Sequence, residues 1–134
     1  MKTNPRLHHC AQNITKDSLE NVIEMFKIFD CTVNYRPDNG HKWAMVSQKE
    51  LRFSIQIVEV NNDPISDIEI KKQTHVAFIS DNPQELIDKV GNWAKDRDIK
   101  FKQGGWSSKE LFFDLPDIFV NFVVEVMHSS IVGE

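Results

Sequence analysis

His9-Cys10-Ala11-Gln12-Asn13-Ile14-Thr15-Lys16-Asp17 and His75-Val76-Ala77-Phe78-Ile79-Ser80-Asp81-Asn82-Pro83 are two strings of one design. Each is a strand-like run opened by a histidine, and each leads into a helical pattern. The second begins 66 residues after the first (75 − 9). Self-similarity at a fixed spacing points to two copies of one supersecondary unit.

The pattern extends outward from both strings in the same order. Leu7 to Ile14 reads as a strand. Asp17, with Glu20 three residues on, predicts a capped helix whose buried stripe is Leu19, Val22, Ile23, Phe26 and Phe29. Thr32–Arg36, Lys42–Ser47 and Leu51–Val60 then read as strands, with Pro37-Asp38-Asn39-Gly40 as a turn. In the second copy Thr74–Ser80 is a strand. Asn82, Pro83 and Glu85 open a helix with the stripe Leu86, Val90, Trp93 and Ala94. Asp98–Lys102 reads as a strand, Gln103–Ser108 with Gly104-Gly105 as a loop, and Lys109–Leu115 and Phe119–Met127 as closing strands. The expectation is one α+β domain spanning 1–134. Module one is 7–60, a loop connector is 61–72, and module two is 73–128, each module in the order βαβββ. The rival, a ferredoxin-like βαββαβ sandwich, needs fewer strands after each helix.

Composition narrows the function classes. A net charge of −4, with scattered Lys and Arg, lacks the basic footprint of a nucleic-acid binder. Ile118 to Met127 is the most apolar run, and it is interrupted by Asn121 and Glu125 and too short to span a bilayer. No leader is visible after Met1, and two cysteines make no disulfide framework. A cytoplasmic protein is expected, with Cys10 as small core filler.

The two histidine strings resemble the strands that open each module of the glyoxalase/bleomycin-resistance/extradiol-dioxygenase (vicinal oxygen chelate) superfamily. Val123-Val124-Glu125-Val126 resembles its last strand, which ends on a metal-binding Glu. Ser54-Ile55-Gln56-Ile57-Val58-Glu59 resembles the strand carrying the fourth ligand, with Gln56 in that place. The resemblance implies a cupped mixed sheet around a cavity. It implies a divalent ion held by His9, Gln56, His75 and Glu125, and a homodimer. Alternation along strands agrees: with His9, Gln56 and Glu125 facing inward, Ile55, Ile57, Val124 and Val126 face outward under helices. Gln12 is the misfit, a polar residue on the face that helices should cover. Glu59 stays open as a rival to Gln56, because Glu59 and Glu125 share the 66-residue offset. His8 is a rival to His9. The bland alternative makes both histidines ordinary strand residues and Glu125 a water-facing edge residue.

Two imidazoles, one amide and one carboxylate leave a divalent ion with net charge +1, suited to holding a substrate that develops negative charge on oxygen. These donors fit Zn, Ni, Mn, Co or Fe. The implied function is a lyase, isomerase or epimerase acting on a small oxygenated substrate through an enolate-like intermediate, with Glu125 also serving as base. Trp43 and Trp106 are candidates to line the pocket, Trp106 as a lid. The His-Gln-His-Glu set resembles that of methylmalonyl-CoA epimerase. That enzyme's further Glu has no counterpart here, since Thr32 to Lys49 offers only Asp38. The alternatives are a non-catalytic small-molecule-binding protein of the bleomycin-resistance kind and an Fe(II) extradiol-type dioxygenase using His9, His75 and Glu125.

Overall fold

The computed structural model describes residues 4–134. Module one runs β1 (His9–Thr15), α1 (Leu19–Lys27), β2 (Cys31–Tyr35), β3 (Trp43–Gln48) and β4 (Ser54–Val60). A short helix, α2 (Ile68–Lys71), lies in the connector. Module two runs β5 (His75–Ser80), α3 (Pro83–Asp96), β6 (Lys102–Ser107), β7 (Glu110–Asp114) and β8 (Val123–His128), followed by a 3₁₀ turn at Ser129–Val132. The strands form two four-stranded mixed sheets of identical topology, β1-β4-β3-β2 and β5-β8-β7-β6, in which only the first pair is parallel. This is the repeated βαβββ architecture of a glyoxalase-like fold. No described helix is long and apolar enough to cross a membrane.

Helix α1 forms because Leu19, Val22, Ile23 and Phe26 recur at helical spacing and are buried on one side. Its start differs from the expected capping box. Asp17 takes a left-handed φ of 66°, and Ser18 is the N-cap with no side-chain capping bond. Glu20 pairs instead with Arg36. The carboxylate of Glu59, on β4, accepts from the Leu19 N–H at 3.0 Å and supplies the negative charge that a helix N-terminus favours. Helix α3 starts as its sequence predicts: Asn82 Oδ1 accepts from the Glu85 N–H, and Pro83 opens the first turn.

Elsewhere in module two the structure departs from expectation. The stretch expected as a loop, Gln103–Ser108, is mostly strand β6, while Asp98, at φ 55°, belongs to the turn that ends α3. Glycine is required at 104 because the Phe112 ring lies across it, and a Cβ there would come within 2.5 Å of that ring. The final strand begins at Val123. Phe119 and Phe122 are buried core residues in the segment before it, where Phe119 bridges to Ile14 after a turn closed by the Ile118 and Phe119 N–H groups donating to the Leu115 carbonyl. The connector, expected as loop, carries α2 because the Asp67 side chain caps it. Cys10, expected in the core, is exposed; Cys31 is the buried one, and its thiol is pushed up to about 11, chiefly by desolvation.

One core joins the modules. On the first sheet Ile14, Ala44, Val46 and Ile57 face the helices, and on the second Phe113, Val124 and Val126 do. Phe29, just beyond α1, stacks on Phe78 of β5 at 4.5 Å between ring centroids and on Phe113 of β7 at 6.0 Å. Trp93 of α3 donates its indole N–H to Glu24 of α1. The helix sides of the two sheets therefore turn toward one another, and the opposite sides turn outward. Gln12 lies on the helix side, 8% exposed, and its Oε1 has no partner among the described residues.

The connector is fastened by charge. Lys71 Nζ lies 2.8 Å from Asp114 Oδ1 with both side chains sealed from water, and the Leu115 N–H and the Lys102 charge add to the hold on the Asp114 carboxylate. Breaking such a pair leaves an uncompensated buried charge, whereas an apolar replacement of both partners avoids the desolvation cost. Lys71→Ala is therefore expected to destabilise the protein by roughly 3–5 kcal/mol, and the double variant Lys71→Met/Asp114→Leu to fall near wild type. Chemical denaturation of the two variants checks this.

Candidate metal centre

The open side of each sheet carries half of the expected ligand set. On the first sheet the register places His9 opposite Ser54 and Ala11 opposite Gln56, so His9 and Gln56 share the outward side. On the second, His75 lies opposite Val123 and Ala77 opposite Glu125, so His75 and Glu125 share the outward side. In each module the fourth strand's polar residue lies opposite the alanine two positions after the histidine. Gln56 and Glu125 are therefore equivalent, 69 residues apart (125 − 56) rather than 66. Module two has three more residues before its last strand. That difference makes Glu59 look like the partner of Glu125 when letters alone are aligned. Glu59 faces the helix side and caps α1.

Within the second sheet the two donors meet. His75 Nε2 lies 3.3 Å from Glu125 Oε1. The other ring nitrogen, Nδ1, is 3.1 Å from the Lys72 carbonyl oxygen. A carbonyl can only accept, so Nδ1 carries the proton. In a neutral imidazole, Nε2 then presents a lone pair to Glu125. A lone pair facing an ionised carboxylate at this distance needs a shared positive species, either a proton or a metal ion. Glu125 is buried, and desolvation, partly offset by His75 and reinforced by Glu110, holds its carboxyl above the usual range. Trp106 packs on the His75 ring at 5.2 Å and on Phe112 at 5.2 Å, with the Lys72 ammonium 5.8 Å from its ring centroid. Expected as a lid on a loop, it belongs to strand β6 and forms a wall beside His75.

Within the first sheet the half-site is more open. His9 is exposed, and its Nδ1 is 3.0 Å from Nδ1 of His8. One of the two carries the proton. If His9 donates, its Nε2 is free with a lone pair, the state a metal ligand needs. His8 then acts as its orienting partner. Trp43 lies on the same side, with its ring tilted against Tyr35 at 5.5 Å. Two further histidines lie away from this set. His41 is in the β2–β3 connection, and His128 is at the end of β8, where its Nδ1 accepts from the Ser130 N–H.

One chain brings together His75 with Glu125 and, separately, places His9 with Gln56. Among the described residues no group of three or more His, Cys, Asp or Glu is arranged around a common metal position. The donor types, two imidazoles, an amide and a carboxylate, suit a divalent ion, and His75–Glu125 is the pair whose facing lone pair and carboxylate a shared proton or a divalent ion would satisfy.

No family model and no curated protein matches the sequence. Solved structures match it over nearly its whole length. A variant of the fosfomycin resistance protein FosX from Listeria monocytogenes, in complex with Mn(II) and 1S,2S-dihydroxypropylphosphonic acid, superposes with a TM-score of 0.57 at 16% identity, covering 95% of this chain and 93% of that one. Lactoylglutathione lyase from Agrobacterium tumefaciens superposes with a TM-score of 0.54 at 13% identity, covering 99% and 100%. The antibiotic binding protein TnmS3 from Streptomyces sp. CB03234 gives 0.50 at 11%, covering 96% and 98%. The chain shares the fold of these proteins, a glyoxalase-like fold.

The roles of Glu59 and Gln56 separate by mutation. Glu59→Gln removes the charge at the α1 N-terminus and is expected to cost about 1 kcal/mol of stability while leaving metal affinity unchanged. Gln56→Ala is expected to leave stability within about 0.5 kcal/mol and to weaken metal affinity. Paired thermal denaturation and metal titration check both.

Proposed function

We propose that the protein is a divalent-metal-dependent enzyme of the lyase, isomerase or epimerase type, acting on a small oxygenated substrate. The observation that carries this reading is the approach of His75 Nε2 to Glu125 Oε1, with the proton of the imidazole already committed to the Lys72 carbonyl. In the free protein a proton held by the buried Glu125 can bridge the pair, and a divalent ion can take that proton's place. The fold supports the reading, since it is shared with a lactoylglutathione lyase and with a FosX complex that contains Mn(II). A fold alone does not fix chemistry; the side-chain arrangement carries the argument.

The outward orientation of both half-sites favours a homodimer in which the His9–Gln56 side of one chain meets the His75–Glu125 side of its partner. The exposure of His9 and Ala11 on one sheet, and of His75, Ala77 and Ile79 on the other, supports this pairing. His9, Gln56, His75 and Glu125 would hold the ion, which supplies a Lewis acid for negative charge developing on a substrate oxygen. Glu125, when displaced from the ion, would be the group placed to take a proton from a substrate carbon, with Trp106 as a wall beside His75.

A second reading has a specific observation behind it. In a single chain the four donors do not converge among the described residues, and TnmS3, an antibiotic binding protein, shares the fold. On this reading the open sheets sequester a ligand without metal chemistry.

Elemental analysis and calorimetric titration with Mn(II), Zn(II) and Ni(II) separate the two. One ion per chain is expected, with a light-scattering mass of two chains. His75→Ala is expected to abolish stoichiometric binding and leave the unfolding transition within a few degrees of wild type. If no ion binds and His75→Ala unfolds the protein, the histidine is structural and the binding-protein reading replaces the enzyme.

A further inference from the structure

The open side of the first sheet holds a cleft of about 420 Å³ beside the His9 half-site. Arg6, Arg52, Asn34 and Ser54 line it, together with Tyr35 and Trp43, whose rings lie against one another. None of its lining side chains is acidic. In a chain with a net charge of −4, two guanidinium groups in one concave surface without a carboxylate are a local departure. Arg36 and Arg97 meet carboxylates, those of Glu20 and Glu24. Arg6 and Arg52 have no such partner among the described residues.

The cleft is held in shape by its polar groups. Arg6 donates from Nη1 to the Arg52 carbonyl oxygen at 2.8 Å, which fixes the Arg6 guanidinium on the Arg52 backbone at the cleft. Asn34 donates to the hydroxyls of Ser47 and Ser54, both at 2.7 Å. Tyr35 is 55% exposed, leaving a large ring surface on the sheet for a ligand to cover. The register ties the cleft to the candidate metal centre, because Ser54 lies opposite His9 and Met45, another of its walls, lies opposite Gln56.

We infer that this cleft binds the substrate's oxyanion and its attached ring: the ligand class is a small aromatic carboxylate or phosphonate, with the anionic group on Arg6 and Arg52 and the ring against Trp43 and Tyr35. The inference rests on the metal-enzyme reading only for the word substrate. The two guanidinium groups offer forked donors that match a planar or tetrahedral oxyanion, and the rings offer a face that a saturated body fills less well.

Tryptophan fluorescence titrations with benzoate and phenylphosphonate test it, with benzyl alcohol as the uncharged control and inorganic phosphate as the ringless one. At least one of the two aromatic anions is expected to bind saturably and roughly tenfold or more tightly than either control. Arg52→Gln and Arg6→Gln are each expected to weaken it by roughly tenfold. Trp43→Phe is expected to remove most of the fluorescence change with a loss of affinity of about threefold or less, because a phenyl ring keeps the stacking face. Circular dichroism of each variant establishes that it is folded. Equal affinity for benzyl alcohol, or no effect of either arginine in folded protein, overturns the inference. The metal titration keeps the two readings apart. An ion bound without any aromatic anion overturns this inference alone, and an anion bound in the cleft of a protein that takes no metal overturns the enzyme reading alone.

Discussion

Phe29 leaves the end of α1 and stacks on Phe78 and Phe113, residues of the other sheet, and both sheets take their orientation from this contact. Neither sheet can cover its own helix side fully, so each uses the other module's helix and rings. Burying rings of this size contributes about 1.5–3 kcal/mol apiece. Once the helix sides are joined, the polar sides have only one place to go. His9 with Gln56, and His75 with Glu125, emerge on outward surfaces because apolar residues took the inner ones.

This long-range contact also separates what can be read from letters from what cannot. Strand alternation and helical spacing are local. They set out the element order of both modules, and they put His9, Gln56, His75 and Glu125 on the side away from the helices, where the structure has them. Departures came where a distant residue decided the outcome. Gly104-Gly105 reads as a loop until Phe112 crosses it. Asp17 reads as a helix cap until Glu59, 40 residues from Leu19 in sequence, takes the first N–H of α1. Phe119 and Phe122 read as part of the last strand because they are apolar, yet they fill the core from the segment before it, with Phe119 held by an isolated bridge to the distant Ile14. Alternation assigns a side to each residue, but it carries no information on which sides meet, so it could not show that the two half-sites lie apart. Gln12 was recognisable as a misfit and is one, with a sealed oxygen that nothing among the described residues answers.

The two modules use equivalent positions for different ends. Gln56 and Glu125 each lie opposite an alanine two residues after the opening histidine. A glutamate at both places would bring two carboxylates to one ion and cancel the charge of a divalent cation. An amide at one of them would keep a net charge of +1 on such an ion, and it leaves a single carboxylate in the set. Repetition supplies two equivalent pairs of donors, and the difference between the copies supplies the asymmetry that acid–base work would require. The carboxylate also sits in the more enclosed half, beside His75 and Trp106, where desolvation can hold its proton affinity up; the open half, beside Arg6 and Arg52, is where an anion can enter. Charge is thus graded across the pair of half-sites, from a buried acid on the second sheet to exposed cations on the first. A substrate carrying an oxyanion at one end and a reacting carbon at the other would be oriented by that gradient before any donor touched it.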